Sequence, residues 1–512
     1  MSLDEKEDLE KEGGTWQPVT AVVSLPGNTS PLYADRWTRK LLSYGVESRG
    51  IQPAPVEERT DTHFSKIFFL WFSWNVNILT FSAGTLGPAI FGPCYLWALL
   101  SLGPAIFGLG LRDSCLTILF FNIICCAPPA YLATWGPKLG MRQMVISRYS
   151  FGYYGIIIPS ILNLVNMFGF SILNCILGGQ ALASAGNGNL SWTLGIVVIA
   201  IISLLVSFCG YEVLNWYEKM SWVPVLITFI IALGVGGKHL SNPPQAEAAT
   251  AACVLGFAGT LAGFAITFSS LSSDFTTYYR PDVSGWKIFE YSFAGLLLHI
   301  VTLQCLGAAV VIASPSIPAW EQGYAGGNIG GLLEAMVRPT GGFGKFLAVL
   351  LSLSVAGNIA ATFYSISLNI QIFIPPLVVV PRYVFSLVAT AIVIPISIVG
   401  AHRFYDTITN FLGLIGYWAS AFIAIIILEH LVIRHDNPAE YDLDDWDAPR
   451  RLPSGIAALA AGIASFGLVI PCMSQVWFTG QSPKRRGILA LRLRLGSVQY
   501  YTFLFVCLRL EY

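Results

Sequence analysis

Residues 68–92 read FFLWFSWNVNILTFSAGTLGPAIFG. The stretch opens with the composition of a membrane-spanning helix, with Trp71 and Trp74 near its start. It then runs into Asn75, Asn77, Thr80, Ser82, Gly84, Thr85, Gly87 and Pro88. A lipid-facing helix has no use for Ser-Ala-Gly-Thr-Leu-Gly-Pro in mid-span, because freed backbone groups at membrane depth are tolerated only against protein or a water-filled cavity. Helices broken by glycine or proline near the midplane are how many secondary transporters build a substrate and ion site. The stretch reads as a broken first span, or else as an ordinary helix with a Gly/Pro kink; the rest of the chain favours the break.

The chain has 512 residues, of which 54% are hydrophobic and 11% charged, with a mean hydropathy of +0.64. Soluble domains carry about 25% charged residues, so this is the composition of an all-α polytopic membrane protein. Lys and Arg balance Asp and Glu at 29 each, which excludes the basic signature of nucleic-acid binding. The ten cysteines show no CxxC or Cys/His metal spacing, and several, such as Cys125 and Cys126, lie in apolar runs as small core residues. No metal site and no cofactor is expected. The six histidines are scattered without HExxH, and neither GxSxG nor a Walker motif is present, so an enzyme is not expected.

Residues 1–65 are polar, without the apolar segment of a secretory signal, and are expected to form a cytosolic tail. Runs of roughly 18 apolar residues or more can span a bilayer. They fall near 67–92, 114–135, 156–183, 191–210, 221–237, 252–273, 288–314, 343–374, 383–401, 408–433 and 454–474. A doubtful twelfth lies in the tail, giving a transmembrane domain over 66–478. Lys138, Arg142 and Arg148, then Arg280 and Lys287, then Arg434, Arg450 and Arg451 fall in the even-to-odd loops. The positive-inside rule places those loops and the N-terminus in the cytoplasm.

Two segments do not fit this pattern. LGPAIFG occurs at Leu86–Gly92 and again at Leu102–Gly108, so 93–108 reads as an insert, either a tandem extension or an artefact. Residues 479–512 carry Lys484, Arg485, Arg486, Arg492 and Arg494 on the side expected to be outside, with only Val498–Leu508 apolar. That atypical tail reads as a frameshift or missed splice near residue 481.

The motifs ESRGIQP at 47–53, ERTDTHFSKIFFLWFS at 58–73, SAGTLGP at 82–88, PPAYLATWGPKLGMRQMVISRYSFGYYG at 128–155, NCILGGQ at 174–180, SSDFTTYYRP at 272–281 and GNIAATFYS at 357–365 occur in the order found in the nucleobase–cation symporter family. The chain resembles its fungal purine–cytosine permeases over roughly residues 45–478. The resemblance implies a LeuT-like inverted five-plus-five repeat with about 12 transmembrane helices, and a substrate held at the midplane between broken spans 1 and 6 and spans 3 and 8. No internal sequence repeat shows that symmetry. It also implies a plasma-membrane importer of cytosine, adenine, guanine and hypoxanthine. The alternatives are a permease of the same fold for uracil, allantoin or a vitamin B6 compound, a non-transporting sensor, or a non-functional product. Membrane lipids are the other expected partner, and the oligomeric state is open.

A flat base needs an apolar or aromatic face for stacking and amides or hydroxyls for its edge. Phe170 and Asn174 share a face at i, i+4, and alignment of Gly178-Gly179 with the family places them at its stacking and recognition positions; the alternative for Asn174 is a hydrogen bond to a neighbouring helix. Asn163 and Asn166 are read as facing elsewhere, in structural roles. Asn358 and Thr362 repeat the i, i+4 spacing on span 8, where the family commonly has Asn at both. Thr80 matches a Ser or Thr position of the family's site, or else is a helix-stabilising hydroxyl. On span 6, Gly259 and Gly263 make a break or a packing face, and either Phe264 or Phe268 would stack on the other face of the base. Sodium-coupled relatives place hydroxyls just before the first span-8 Asn; here Ala356 and Gly357 offer no side-chain oxygen, so a proton is the expected coupling ion. Asp274 is the nearest acid. It reads either as a gating or coupling carboxylate or as a helix-end partner of Arg280.

Overall fold

The computed structural model describes residues 50–88, 108–186, 189–208, 220–241, 249–374, 377, 380 and 382–473. Most of the N-terminal tail, nearly all of the 93–108 repeat and the segment after Gly480 lie outside the described residues. At the flanks of the repeat, the Leu109 N–H donates to the Gly87 carbonyl at 3.1 Å.

The first span is two helices, α1 (Phe64–Asn75) and α2 (Ile78–Thr85), bent by 64°. The membrane helices that follow are α3 (Leu111–Ala133), α4 (Ile157–Ala185), α5 (Trp192–Phe208), α6 (Trp222–Gly236), α7 (Ala251–Ile266) and α8 (Gly285–Ala313). Short helices α9 (Pro318–Tyr324) and α10 (Ile329–Val337) cross one end of the bundle. After them come α11 (Gly342–Leu353), α12 (Ala356–Phe373), α13 (Arg382–Ala401), α14 (Phe404–Leu428) and α15 (Ile456–Cys472). Each of the eleven expected spans has a counterpart here, with α11 and α12 together forming the eighth.

The break in the first span lies at Asn75–Val76–Asn77, upstream of the Gly/Pro run that suggested it. The reason is local chemistry. Asn77 is extended (φ −147°, ψ 173°) and its Oδ1 accepts from the Thr80 N–H at 3.0 Å, the capping that asparagine supplies at a helix start. Its Nδ2 donates to the Trp74 carbonyl at 2.9 Å, and the Thr80 hydroxyl donates to the Asn75 carbonyl at 2.6 Å. Ser82 and Thr85 instead bond back to carbonyls three residues earlier, so α2 runs on through Gly84.

The sixth span is not broken at its glycines either. It is α-helical through Gly259 and Gly263, tightens to a 3₁₀ turn at Thr267–Ser270, and turns at Leu271 before a second 3₁₀ turn at Ser272–Phe275.

The helices sort into two groups. The first-span helices and α3 pack on α8, and α7 packs on α3; separately, α4, α5, α12 and α13 pack on one another. Bulky residues such as Ile124, Ile230 and Val399, each more than half exposed, form an outer apolar surface suited to lipid. The loops assigned to one side by their charges do gather at one end. The buried Arg148 donates to the Trp446 carbonyl and to Asp447, and Glu429 takes both Ser150 and Arg434.

Close approach within the first group depends on small residues. A Cβ at Gly84 would lie 1.9 Å from the Gln304 carbonyl oxygen of α8, and one at Gly263 would lie 1.9 Å from the Leu412 carbonyl oxygen of α14. Both neighbours are backbone and cannot swing away. Gly259 faces open space. Gly84→Ala and Gly263→Ala should therefore each cost on the order of 3 kcal/mol or the fold itself, read as a lost monodisperse peak or a lowered Tm, whereas Gly259→Ala keeps the parental profile. Equal behaviour of the three variants would contradict this packing.

Candidate functional site

A pocket lies where the α1–α2 break and the end of α7 face α4 and α12. Its walls are Trp74, Asn75 and Leu79 of the first span, Asn166, Met167 and Phe170 of α4, Phe264, Thr267, Phe268 and Leu271 of the sixth span, and Asn358 and Thr362 of α12. It holds about 40 Å³ of space for the centres of water molecules, several times what one water needs. None of these twelve side chains is charged, so the lining suits a neutral ligand.

The aromatic walls are ordered by one another. The rings of Phe170 and Phe268 are nearly parallel, at 14° with centroids 6.4 Å apart, and Phe264 stands edge-on to both. Phe411 of α14 packs edge-on to Phe170, and Trp71 packs edge-on to Phe268. Parallel phenyl rings with edge-on neighbours give π-faces on which a flat heterocycle can stack.

Of the residues singled out from the sequence, Phe170, Phe264, Phe268, Asn358 and Thr362 come together in the lining. Both phenylalanines of the sixth span are in the lining, Phe268 parallel to Phe170 and Phe264 edge-on to it. Thr80 and Asn174 stand behind the wall. Thr80 is fully buried and its hydroxyl is used within the break. Asn174, also fully buried, donates its Nδ2 to Asn358 Oδ1 at 2.8 Å, and Asn358 Nδ2 donates in turn to the Trp74 carbonyl at 3.0 Å. The Asn358 amide thus runs from α4 to the first-span break. The Thr362 hydroxyl bonds back to the Asn358 carbonyl at 2.7 Å.

The reading of Asn166 as facing away from the site is corrected. Asn166 precedes Phe170 by four residues, which places both on one helix face, and it lines the pocket with Oδ1 unpartnered among the described residues. The spacing alone contained that signal. Trp74, Asn75 and Thr267 were also missed as wall residues. The Asn-Val-Asn run marked the first two, and Thr267 follows Phe264 at i+3.

Asp274 sits past the end of the sixth span, at the end of the bundle where the charged loops gather. Its Oδ1 accepts from the Gln143 backbone N–H at 2.7 Å, and its backbone carbonyl accepts from Arg142 Nη1 at 3.3 Å. Arg142 Nη2 donates to the Tyr364 hydroxyl of α12, two residues beyond Thr362. Burial pushes the Asp274 carboxyl up from 3.8 to about 6, with the Arg142 guanidinium and the Gln143 amide pulling the other way. Arg280 is not its partner; it pairs with Asp282 at 2.7 Å.

At the opposite end, the Thr85 and Tyr405 hydroxyls are 2.9 Å apart, and Tyr405 and Tyr324 are 2.5 Å apart. This chain of hydroxyls joins α2, α14 and α9.

Comparison with known proteins adds the family. Residues 53–479 match the profile of permeases for cytosine/purines, uracil, thiamine and allantoin. The purine-cytosine permease fcyB of Emericella nidulans is 33% identical over 495 residues, covering 95% of this chain and 93% of the relative. The purine-cytosine permease FCY2 of Saccharomyces cerevisiae is 34% identical, covering 87% and 82%. The vitamin B6 transporter TPN1 of Saccharomyces cerevisiae is 28% identical, covering 83% and 73%. Among solved structures, the nucleobase-cation-symport-1 transporter Mhp1, closed with bromovinylhydantoin bound, superposes with a TM-score of 0.65 at 14% identity, covering 90% of this chain and 96% of that one. That likeness gives the LeuT-like fold expected of the sequence. The relatives are transporters, so the chain is a multi-span membrane permease and not an enzyme. It belongs to the family of permeases for cytosine/purines, uracil, thiamine and allantoin.

Proposed function

We propose that this chain is a plasma-membrane symporter that imports cytosine and the purine bases adenine, guanine and hypoxanthine with protons, its N-terminus in the cytoplasm. The observation that carries the reading is the uncharged pocket, with parallel Phe170 and Phe268 rings for the base faces and asparagine amides beside them for its edge. A neutral base offers both donors and acceptors, which an amide matches in either sense. The similarity to purine-cytosine permeases supports the same class of cargo. Thr362, where the family commonly has Asn, and the likeness to a vitamin B6 transporter make pyridoxine the second ring to test.

Proton rather than sodium coupling is supported at the first-span break. A hard cation needs several oxygen ligands. Here the Trp74 carbonyl takes amide hydrogens from Asn77 and Asn358, Ser354 Oγ takes the Ile78 N–H, and Ala356 and Gly357 have no side-chain oxygen to add. Asp274 is the titratable group we assign to gating. Ionised, it holds the Gln143 N–H and ties the end of the sixth span to the loop after α3. Because burial raises its carboxyl pKa, a proton favours this buried arrangement and its release favours exposure of that end.

Uptake of radiolabelled cytosine into permease-null cells should be blocked by excess adenine, abolished by a protonophore and indifferent to sodium. Asn174→Ala, which unties Asn358, should reduce it at least about tenfold. Uptake blocked by pyridoxine and not by adenine would move the assignment to the second ring, and sodium dependence would remove the proton.

Asp274 also predicts a pH-dependent stability. Its folded pKa lies above the ordinary value, so the folded state holds a proton that the unfolded chain has released. Stability contributed by that proton is present below about pH 4 and is lost as pH rises to about 6. The difference is at most about 3 kcal/mol. The wild-type Tm should therefore fall between pH 4 and pH 7 relative to that of Asp274→Asn; parallel curves would show that the carboxyl is not perturbed.

A further inference from the structure

Most buried hydroxyls in these helices bond back to a carbonyl three or four residues earlier, as Ser82, Ser203 and Thr228 do at 2.8 Å. One line of polar side chains adds bonds across helices to that habit. On α4, Asn166 is followed toward the Asp274 end by Asn163 and Ser160. The sixth span runs the other way and places Ser270 below Thr267, and α12 places Asn369 below Thr362. These side chains are bonded across helices. The Ser270 hydroxyl lies 2.6 Å from Asn163 Oδ1 and 2.8 Å from the Thr267 carbonyl, which share its one proton, and Asn369 Nδ2 donates to the Ser160 carbonyl at 3.0 Å.

The line keeps unused hydrogen-bonding capacity at every level. Asn166 Oδ1, Asn163 Nδ2, Ser160 Oγ and Asn369 Oδ1 have no partner among the described residues, and each of these residues is at most 3% exposed. A buried polar group left unpaired costs about 1–3 kcal/mol. Unpartnered amide atoms also occur on Asn122, Gln304 and Gln180, but those residues do not line the pocket. This line starts in the pocket wall at Asn166 and extends about 9 Å beyond it, the rise of six helical residues. It carries donors and acceptors and no charge, which is the complement of a neutral heterocycle's edge.

We propose that Asn163, Ser160, Ser270 and Asn369 form a second, transient subsite for the base on its way from the pocket to the cytoplasm. The Asn163–Ser270 bond, which joins α4 to the sixth span, must part to admit it. The proposal rests on the nucleobase reading above. A passing base exchanges hydrogen bonds with these groups one level at a time, so the route avoids a step at which its edge is stripped bare in the membrane interior.

Cytosine is the probe. Wild-type, Asn163→Leu, Ser270→Val and Ser270→Thr proteins are compared for equilibrium binding to purified monodisperse protein and for maximal uptake rate per copy at the cell surface. Kd should stay within about twofold in all variants. The maximal rate should fall about tenfold or more in the first two and recover in Ser270→Thr, which keeps the hydroxyl. Unchanged rates, a Kd that rises as far as the rate falls, or Ser270→Thr no better than Ser270→Val would overturn the subsite. Should the apolar variants not be recovered folded, Ser270→Cys exchanges a single atom. A membrane-permeant thiol reagent should then modify it above the parent background and cytosine should slow the reaction; labelling indifferent to cytosine would count against the proposal. A wild type that neither binds nor transports cytosine would instead bring down the nucleobase reading on which the subsite rests.

Discussion

The site depends on the pairing of backbone groups freed where α1 stops and α2 begins. At that depth no lipid can satisfy them, and each left unpaired would cost several kcal/mol. The chain answers with side chains. Asn77 caps α2 and returns an N–H to the Trp74 carbonyl, and Thr80 closes on the Asn75 carbonyl. From across the pocket, Asn358 of α12 donates to the Trp74 carbonyl, and Ser354, at the junction of α11 and α12, accepts the Ile78 N–H. The break is therefore shared between two helices. Asn358 is held in turn by Asn174 of α4, so three walls of the pocket are joined through one amide.

That arrangement changes what the asparagines are for. The family resemblance put Asn174 and Asn358 at recognition positions, with a bond to a neighbouring helix as the alternative for Asn174, and in the structure their hydrogen bonds run to each other and to the break. A ligand that competes for Asn358 Oδ1 or for the Trp74 carbonyl would act on the joint between α4, α12 and the first span. A differential contact of that kind is what a ligand-driven conformational change requires.

How much of this was legible in the sequence follows from what each signal physically reports. Apolar length reports membrane depth: a described helix stands at each expected position, eight of them long and apolar enough to cross a membrane, a ninth as the bent pair, and two shorter. Family motifs carried the fold. The break was placed one turn or more too late because Gly and Pro were weighed as the breakers, whereas a paired Asn-Val-Asn both interrupts a helix and supplies the caps that make the interruption tolerable. Gly84 and Gly263 serve instead for close contact with the Gln304 and Leu412 carbonyls. Thr80 was read from the family as a wall residue; its hydroxyl is spent inside the break, a bond between residues five apart that spacing alone does not reveal. Asn166 was misplaced by overlooking a plain i, i+4 relation to Phe170.

The two ends of the bundle are closed by different chemistry, and this bears on where a proton can act. At the α9 end, Thr85, Tyr405 and Tyr324 form a chain of neutral hydroxyls; a tyrosine phenol ordinarily ionises near pH 10, and a threonine hydroxyl does not ionise in water. At the other end, the tie between the sixth span and the loop after α3 includes the Asp274 carboxylate, raised to about 6 by burial. Between pH 5 and 7 the hydroxyl chain keeps one protonation state while the carboxylate changes its own. The two ends therefore respond unequally to pH, and at the end bearing Asp274 a proton favours the buried arrangement.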